Sequence, residues 1–159
     1  MYLSPPYHSG LGAYIKDRIS LESSALLNVW SSGARIIRIL IVDDHDVVRL
    51  GLRQLLADMD GWELCGEATD GLQAVAAAAQ LKPDVIVMDV SMPNMSGIEA
   101  ARAIRDVDKT IKIVLLSMHD PAQVADAAAK AGASVRACLS KTSVTAELKK
   151  VLASLATEA

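Results

Sequence analysis

The chain has 159 residues, 52% of them hydrophobic, with a formal net charge of -3 and only 3% aromatic residues, Phe being absent. That is enough apolar material for one well-buried domain, with a core built from Val, Ile, Leu, Ala and Met. The charge leaves no basic footprint for direct nucleic-acid binding, the aromatic content offers no platform for stacked bases, and no apolar run approaches the ~18 residues of a membrane span.

Residues 1–35 read as an N-terminal extension. "MYLSPPYHSG" is coil-like. Leu11, Tyr14, Ile15, Ile19, Leu26, Val29 and Trp30 then follow a gapped helical spacing, and "SSGAR" resembles a linker. Two readings stay open: a poorly ordered extension, or an oligomerising or docking helix. The start lacks a compact basic-then-apolar leader pattern.

From Ile36 the pattern becomes regular. The apolar run 36–42 predicts a strand. Residues 46–59 predict an amphipathic helix, with Val48, Leu52, Leu55, Leu56 and Met59 inward and Arg49, Arg53 and Asp58 on the solvent side. "WELCGEA" (62–68) is a short strand, and 71–81 an Ala-rich helix ended by Pro83. A strand over 84–90 and a helix over 97–106 follow, the latter carrying Ile98, Ala101 and Ile104. Next come a strand over 111–117 and a helix over 121–131 ended by Gly132. A strand over 135–140 precedes a closing helix over 144–156, with Val144, Leu148, Val151, Leu152 and Leu155 inward.

Five strands alternating with five helices imply an α/β, doubly wound parallel sheet with helices on both faces. Strands one, three and four are continuous apolar runs suited to the centre, and the mixed strands two and five suit the edges. The flavodoxin-like order 2-1-3-4-5 satisfies this and places the topological switch between strands one and three. Cys65 and Cys138 then lie on opposite edges, four spacings of ~4.8 Å apart, too far for a disulfide. A reduced, cytoplasmic setting follows as an expectation.

Asp43 and Asp44 end strand one, and Asp89 ends strand three. Three carboxylates at neighbouring strand ends repel one another and need a cation, a shared proton or a chemical use. Hard oxygens favour Mg²⁺, which would offset the repulsion and neutralise an incoming phosphoryl group carried by Asp89. Ser117, closing strand four, can donate to a phosphoryl oxygen. Lys141, after strand five, can act on it as a point charge. His45 and His119 flank the mouth as surface loop residues, because Mg²⁺ prefers oxygen and neither has a second imidazole at ligand spacing. Met88, Met92 and Met95 read as core and loop packing.

The stretches "ILIVDDHDVVRLGL", "GEATDGLQAV", "PDVIVMDVSMPNMSGIEA" and "IVLLSMHD", with Lys141 after an apolar strand, resemble the response-regulator receiver domain of bacterial two-component systems, most like its NarL/LuxR-type branch. The resemblance covers about 36–157. It implies a phosphorylation-dependent signalling switch fed by a sensor histidine kinase, with self-phosphorylation and slow self-dephosphorylation in place of enzyme turnover. It makes Asp89 the phosphoacceptor and Asp44 the direct Mg²⁺ ligand, with Asp43 assisting and the backbone carbonyl of Ser91 as a further ligand. Ser117 and Lys141 would meet the phosphoryl group, with Ser91 and His119 on the rim that tunes its hydrolysis. Homodimerisation on phosphorylation is a further expectation.

Branch members usually carry a C-terminal DNA-binding domain. No output domain is expected within this chain, which reads as a lone receiver or part of a longer regulator. The sequence departs from the family at Cys138, where an aromatic residue is usual, and in "GASVRACLSK", which is somewhat longer than usual. The rival reading is a receiver-like interaction module that works without phosphorylation.

Overall fold

The computed structural model describes residues 35–158, so the expectations for the 1–35 extension lie outside the described residues but for Arg35. The strands are β1 (Ile37–Val42), β2 (Trp62–Ala68), β3 (Val85–Asp89), β4 (Lys112–Ser117) and β5 (Ala137–Ser140). The helices are α1 (Asp46–Ala57), α2 (Gly71–Leu81), α3 (Gly97–Val107), α4 (Pro121–Lys130) and α5 (Val144–Thr157). The strands form one five-stranded sheet in the order β2-β1-β3-β4-β5, every pair parallel. This is the doubly wound, flavodoxin-like arrangement the sequence implies.

Strand periodicity divides the core in two. Leu40, Val42, Ile86, Met88, Ile113 and Leu115 face α2, α3 and α4. Those helices meet the sheet through Ala74, Ala78, Ala100, Ala101 and Ala128, together with Ile104 and Val124. Small side chains let three helices sit close on this face. The alternate residues Ile37, Ile39, Ile41, Val85, Val87, Val114, Leu116 and Leu139 face α1 and α5. Among the described residues two helices cover that face, and they fill it with leucines: Leu52, Leu55 and Leu56 from α1, Leu148, Leu152 and Leu155 from α5. Central strands β1, β3 and β4 are buried almost throughout, whereas β2 and β5 are mostly half-buried, as edges are. Cys65 and Cys138 are free thiols on those two edges. Burial raises both above the ordinary thiol range, which makes them less reactive.

Element ends differ from the sequence expectation by a residue or two. Ile36 is exposed and precedes β1. α1 stops at Ala57, and the chain turns through Gly61 at φ +84°, a left-handed conformation that suits glycine. β5 begins at Ala137, after Arg136 N–H has donated to Ile113 O at 2.7 Å. The longer stretch after Gly132 is thus absorbed before the strand, and Lys141 still follows it directly. Among the described residues no helix is long and apolar enough to cross a membrane.

α3 opens with a capping box. Ser96 Oγ accepts from Glu99 N–H at 3.2 Å, and Glu99 Oε2 accepts from Ser96 N–H at 2.9 Å. Two orphan donors at the helix start are satisfied reciprocally, and both bonds to Ser96 hold the Glu99 carboxyl below its ordinary range. Ser96→Ala should lower unfolding free energy by about 1 kcal/mol in urea titrations.

Candidate functional site

β1 and β3 are neighbours, with Val42 opposite Met88. The residue after each is an aspartate, so register alone brings Asp43 beside Asp89. Both are buried, Asp43 at 0% and Asp89 at 3% exposure. Lys141, just past β5, reaches across to both. Its Nζ lies 2.7 Å from Asp43 Oδ2 and 3.1 Å from Asp89 Oδ2. Its backbone N–H donates to Ser117 O at 2.9 Å, tying the ends of β4 and β5 together behind the site. An apolar cleft of about 180 Å³ between α1 and α5 is lined by Val48, Leu52, Leu55, Leu116 and Val144 and also by Lys141, whose side chain is only 12% exposed.

The remaining groups complete the mouth. Asp43 Oδ1 accepts from His45 N–H at 2.9 Å. Asp44 sits at the rim with its side chain 30% exposed. His45 is exposed, as expected of a surface loop residue, yet its Nδ1 lies 3.0 Å from Asp44 Oδ1 and 3.1 Å from Asp43 Oδ1. Ser91 is exposed, and its N–H points at Asp89 Oδ1 from 3.3 Å. Ser117 is buried, and its Oγ accepts from His119 N–H at 2.9 Å within its own turn. His119 itself is exposed. Met88 is fully buried, while Met92 and Met95 pack half-buried against the same core.

The electrostatics follow from this crowding. Burial pushes the Asp89 carboxyl above its ordinary range, and the Asp43 charge adds to that. The hydrogen bond and charge of Lys141, and the Ser91 N–H, pull the other way without cancelling it. For Lys141, burial favours the neutral amine. The hydrogen bonds and charges of Asp43 and Asp89 outweigh this and raise its proton affinity.

Among the described residues, Asp43 Oδ2 meets the Lys141 ammonium and no second donor. That single contact leaves this buried carboxylate oxygen with unused acceptor capacity. One ligand atom from each of Asp43, Asp44, His45 and Asp89 falls in a group whose members all lie within 4.8 Å of one another. Three carboxylates and one exposed imidazole make a donor set suited to a hard, oxygen-seeking cation.

Arg49 was expected on the solvent side of α1, but its side chain is only 13% exposed. Nη1 donates to the main-chain carbonyl of Asp43 at 2.7 Å, Nε donates to Glu67 Oε2 at 3.1 Å, and Nη2 donates to Asp46. Arg53 pairs with the other oxygen of Glu67 at 3.1 Å. Helical periodicity separates inward from outward faces, but it does not mark the flank that turns toward a neighbouring edge strand. The legible signal is an arginine pair at i, i+4 in a helix next to a strand whose penultimate residue is an acid.

The family model of the response regulator receiver domain matches residues 39–153. The response regulator GacA of Pseudomonas viridiflava is 44% identical over 88 residues, 54% of this chain and 41% of that protein. The response regulator UvrY of Escherichia coli is 41% identical over 98 residues, 59% of this chain and 45% of that protein. The chain therefore spans less than half the length of these curated relatives. The crystal structure of a LuxR-family two-component response regulator from Aurantimonas superposes with a TM-score of 0.68 at 36% identity, covering 76% of this chain and 85% of that one. The match spans the acid-bearing strands and Lys141 alike, and the chain belongs to the response regulator receiver domain family, the phosphorylation-dependent switches of two-component systems, in its NarL/LuxR branch.

Proposed function

We propose that Asp89 accepts a phosphoryl group from a sensor histidine kinase, with Mg²⁺ held by Asp43, Asp44, Asp89 and the backbone carbonyl of Ser91. The observation that carries this reading is the buried Asp43–Lys141–Asp89 bridge beside the rim carboxylate of Asp44. When bound, Mg²⁺ would supply charge neutralisation between the carboxylates and the incoming phosphoryl oxygens. An Asp89 oxygen attacks phosphorus, the bond from phosphorus to the donor imidazole breaks, and the imidazole leaves with that electron pair. Catalysis is positioning and charge compensation, with no further group required.

The product places negative charge where Lys141 now bridges two carboxylates. The ammonium exchanges part of that bridge for a phosphoryl oxygen, and the Ser117 hydroxyl turns to donate to another. Because Lys141 N–H is bonded to Ser117 O, the two residues respond together, biasing a two-state surface near β4 and β5. A second copy or an output partner would read that surface. Hydrolysis by water returns the resting state, with Ser91 and His119 on the rim controlling access. The receiver spans 36–157, residues 1–35 form an extension to it, and the setting is the cytoplasm. A DNA-binding output, as in transcription regulators of this branch, would lie outside these residues, and the receiver would not itself contact DNA.

The test is intact-mass spectrometry after incubation with acetyl phosphate and Mg²⁺. The expected result is a gain of one phosphoryl group, lost when Mg²⁺ is withheld and lost in Asp89→Asn. No gain under any condition would establish instead a phosphorylation-independent interaction module.

A further inference from the structure

We propose that Arg49 is a positioning residue for the acidic pocket. By holding the Asp43 carbonyl it orients the peptide between Asp43 and Asp44, and so sets the affinity of the pocket for a divalent cation. The inference rests on the reading of that pocket as a cation site.

Asp43 stands just beyond β1, where the sheet no longer dictates the backbone. Its N–H still reaches Ala68 O at 3.1 Å. Its carbonyl lies upstream of α1, whose first turn closes by Arg49 N–H donating to His45 O at 3.2 Å. The Asp43 carbonyl is taken by the Arg49 side chain instead, at 2.7 Å. The next residue is Asp44, the rim carboxylate.

Arg49 is itself held rigid. Its planar guanidinium presents donors in a fixed fork. Nε is bound to Glu67 on β2 and Nη2 to Asp46 on α1, while Glu67 is gripped from its other oxygen by Arg53. One side chain thus ties α1 and β2 to a single main-chain oxygen just past β1. Burying a guanidinium is unfavourable unless its donors are satisfied, and here the satisfied set converges on the pocket's own backbone.

Charge and position predict opposite signs. A cation beside an acidic pocket repels an incoming cation, so charge alone would make binding tighter once Arg49 is removed. Positioning makes binding weaker, because the carboxylate of Asp44 loses its fixed origin. Groups that orient metal ligands typically change affinity ~10–100-fold when replaced.

The test uses the full chain with Mn²⁺ as the probe, free ion being read by electron paramagnetic resonance. Thermal unfolding in EDTA is measured on the same samples. Wild type, Arg49→Met, Arg49→Lys, Asp44→Asn and Leu155→Ala are compared. Leu155 is buried in α5 in the core, so its truncation lowers stability without touching the pocket. The expected result is binding by wild type and loss in Asp44→Asn, with at least ~10-fold weaker binding in both Arg49 variants and unchanged affinity in Leu155→Ala. Arg49→Lys keeps the charge and loses the fork, so its weakening separates geometry from charge. Unchanged or tighter binding in the Arg49 variants, with wild type and Asp44→Asn as expected, overturns the inference alone. No binding by wild type, or unaltered binding in Asp44→Asn, overturns the cation reading and the inference with it.

Discussion

Lys141→Met should cost about 3 kcal/mol of stability at neutral pH in EDTA, because removing one member of a buried ion pair strands the others. Asp43 and Asp89 are both almost wholly buried, and the ammonium lies within 3.1 Å of each. Methionine keeps the apolar stem against the α1–α5 cleft, so packing there changes little. What is lost is the charge.

The deficit depends on pH with a definite sign. Burial already raises the Asp89 carboxyl, and Lys141 is the main influence opposing that rise. Without the lysine, Asp89 holds its proton to still higher pH. A carboxyl whose proton affinity is raised by folding destabilises the native state above its folded value, and that penalty fades as pH falls through it. The variant's deficit should therefore be full at neutral pH and shrink in acid. Lys141 itself has raised proton affinity in the fold. Its stabilisation is present below the ordinary lysine value and lost as pH rises through the folded one, so the two proteins also converge at strongly alkaline pH.

Mg²⁺ provides the second check. A ligand that binds only the native state stabilises by mass action, and the variant lacks the ammonium that competes for the same oxygens. Mg²⁺ should restore a larger share of stability to Lys141→Met than it adds to wild type. Urea titrations with and without Mg²⁺ across pH measure all of this. Equal stability of the two proteins at neutral pH in EDTA would make Lys141 a solvated flank.

The features legible in the sequence share one physical origin. Continuous apolar runs mark doubly covered strands, and this placed β1, β3 and β4 at the centre and the switch point between β1 and β3. Because Asp43 and Asp89 each follow a paired strand residue, their juxtaposition was readable once the order was known. The ion bridge through Lys141 was less readable, since it depends on the reach of a side chain from the far edge of the sheet. Arg49 was misplaced because a helical wheel has two faces, whereas this helix has a third neighbour in Glu67. The contact of His45 with both acids arises from the backbone turn immediately after β1, to which residue type gives no clue. The capping box at Ser96 and Glu99 is legible as a serine followed three residues later by a glutamate at the start of an amphipathic run.

Gly97→Ala should be the most damaging glycine-to-alanine change among the described residues. Gly97 opens α3 directly against the end of β3, and its N–H donates to Val90 O at 2.9 Å. A Cβ there would stand 2.1 Å from the carbonyl oxygen of Asp89 and 3.0 Å from the Asp89 carbonyl carbon and from Val90 Cα. All three atoms are main chain, so no rotamer relieves the clash. Either α3 or the end of β3 must move. Overpacking with flexible neighbours typically costs ~1–3 kcal/mol, and a rigid backbone neighbour puts this variant at about 3 kcal/mol or above.

The displaced atoms belong to the residue proposed to accept the phosphoryl group, so loss of function should exceed loss of stability. At a temperature where Gly97→Ala remains mostly folded, acetyl-phosphate labelling should still fall at least ~10-fold, in line with the effect of a misplaced reacting group. Gly51→Ala supplies the contrast. That glycine sits inside α1, and its added methyl would meet nothing within 4 Å. The same substitution there should stabilise by about 0.5–1 kcal/mol through helix propensity. Urea unfolding of the two variants side by side should therefore give opposite signs. Wild-type labelling in Gly97→Ala would mean that α3 yields to the methyl without disturbing β3, and that the close approach is not what positions Asp89.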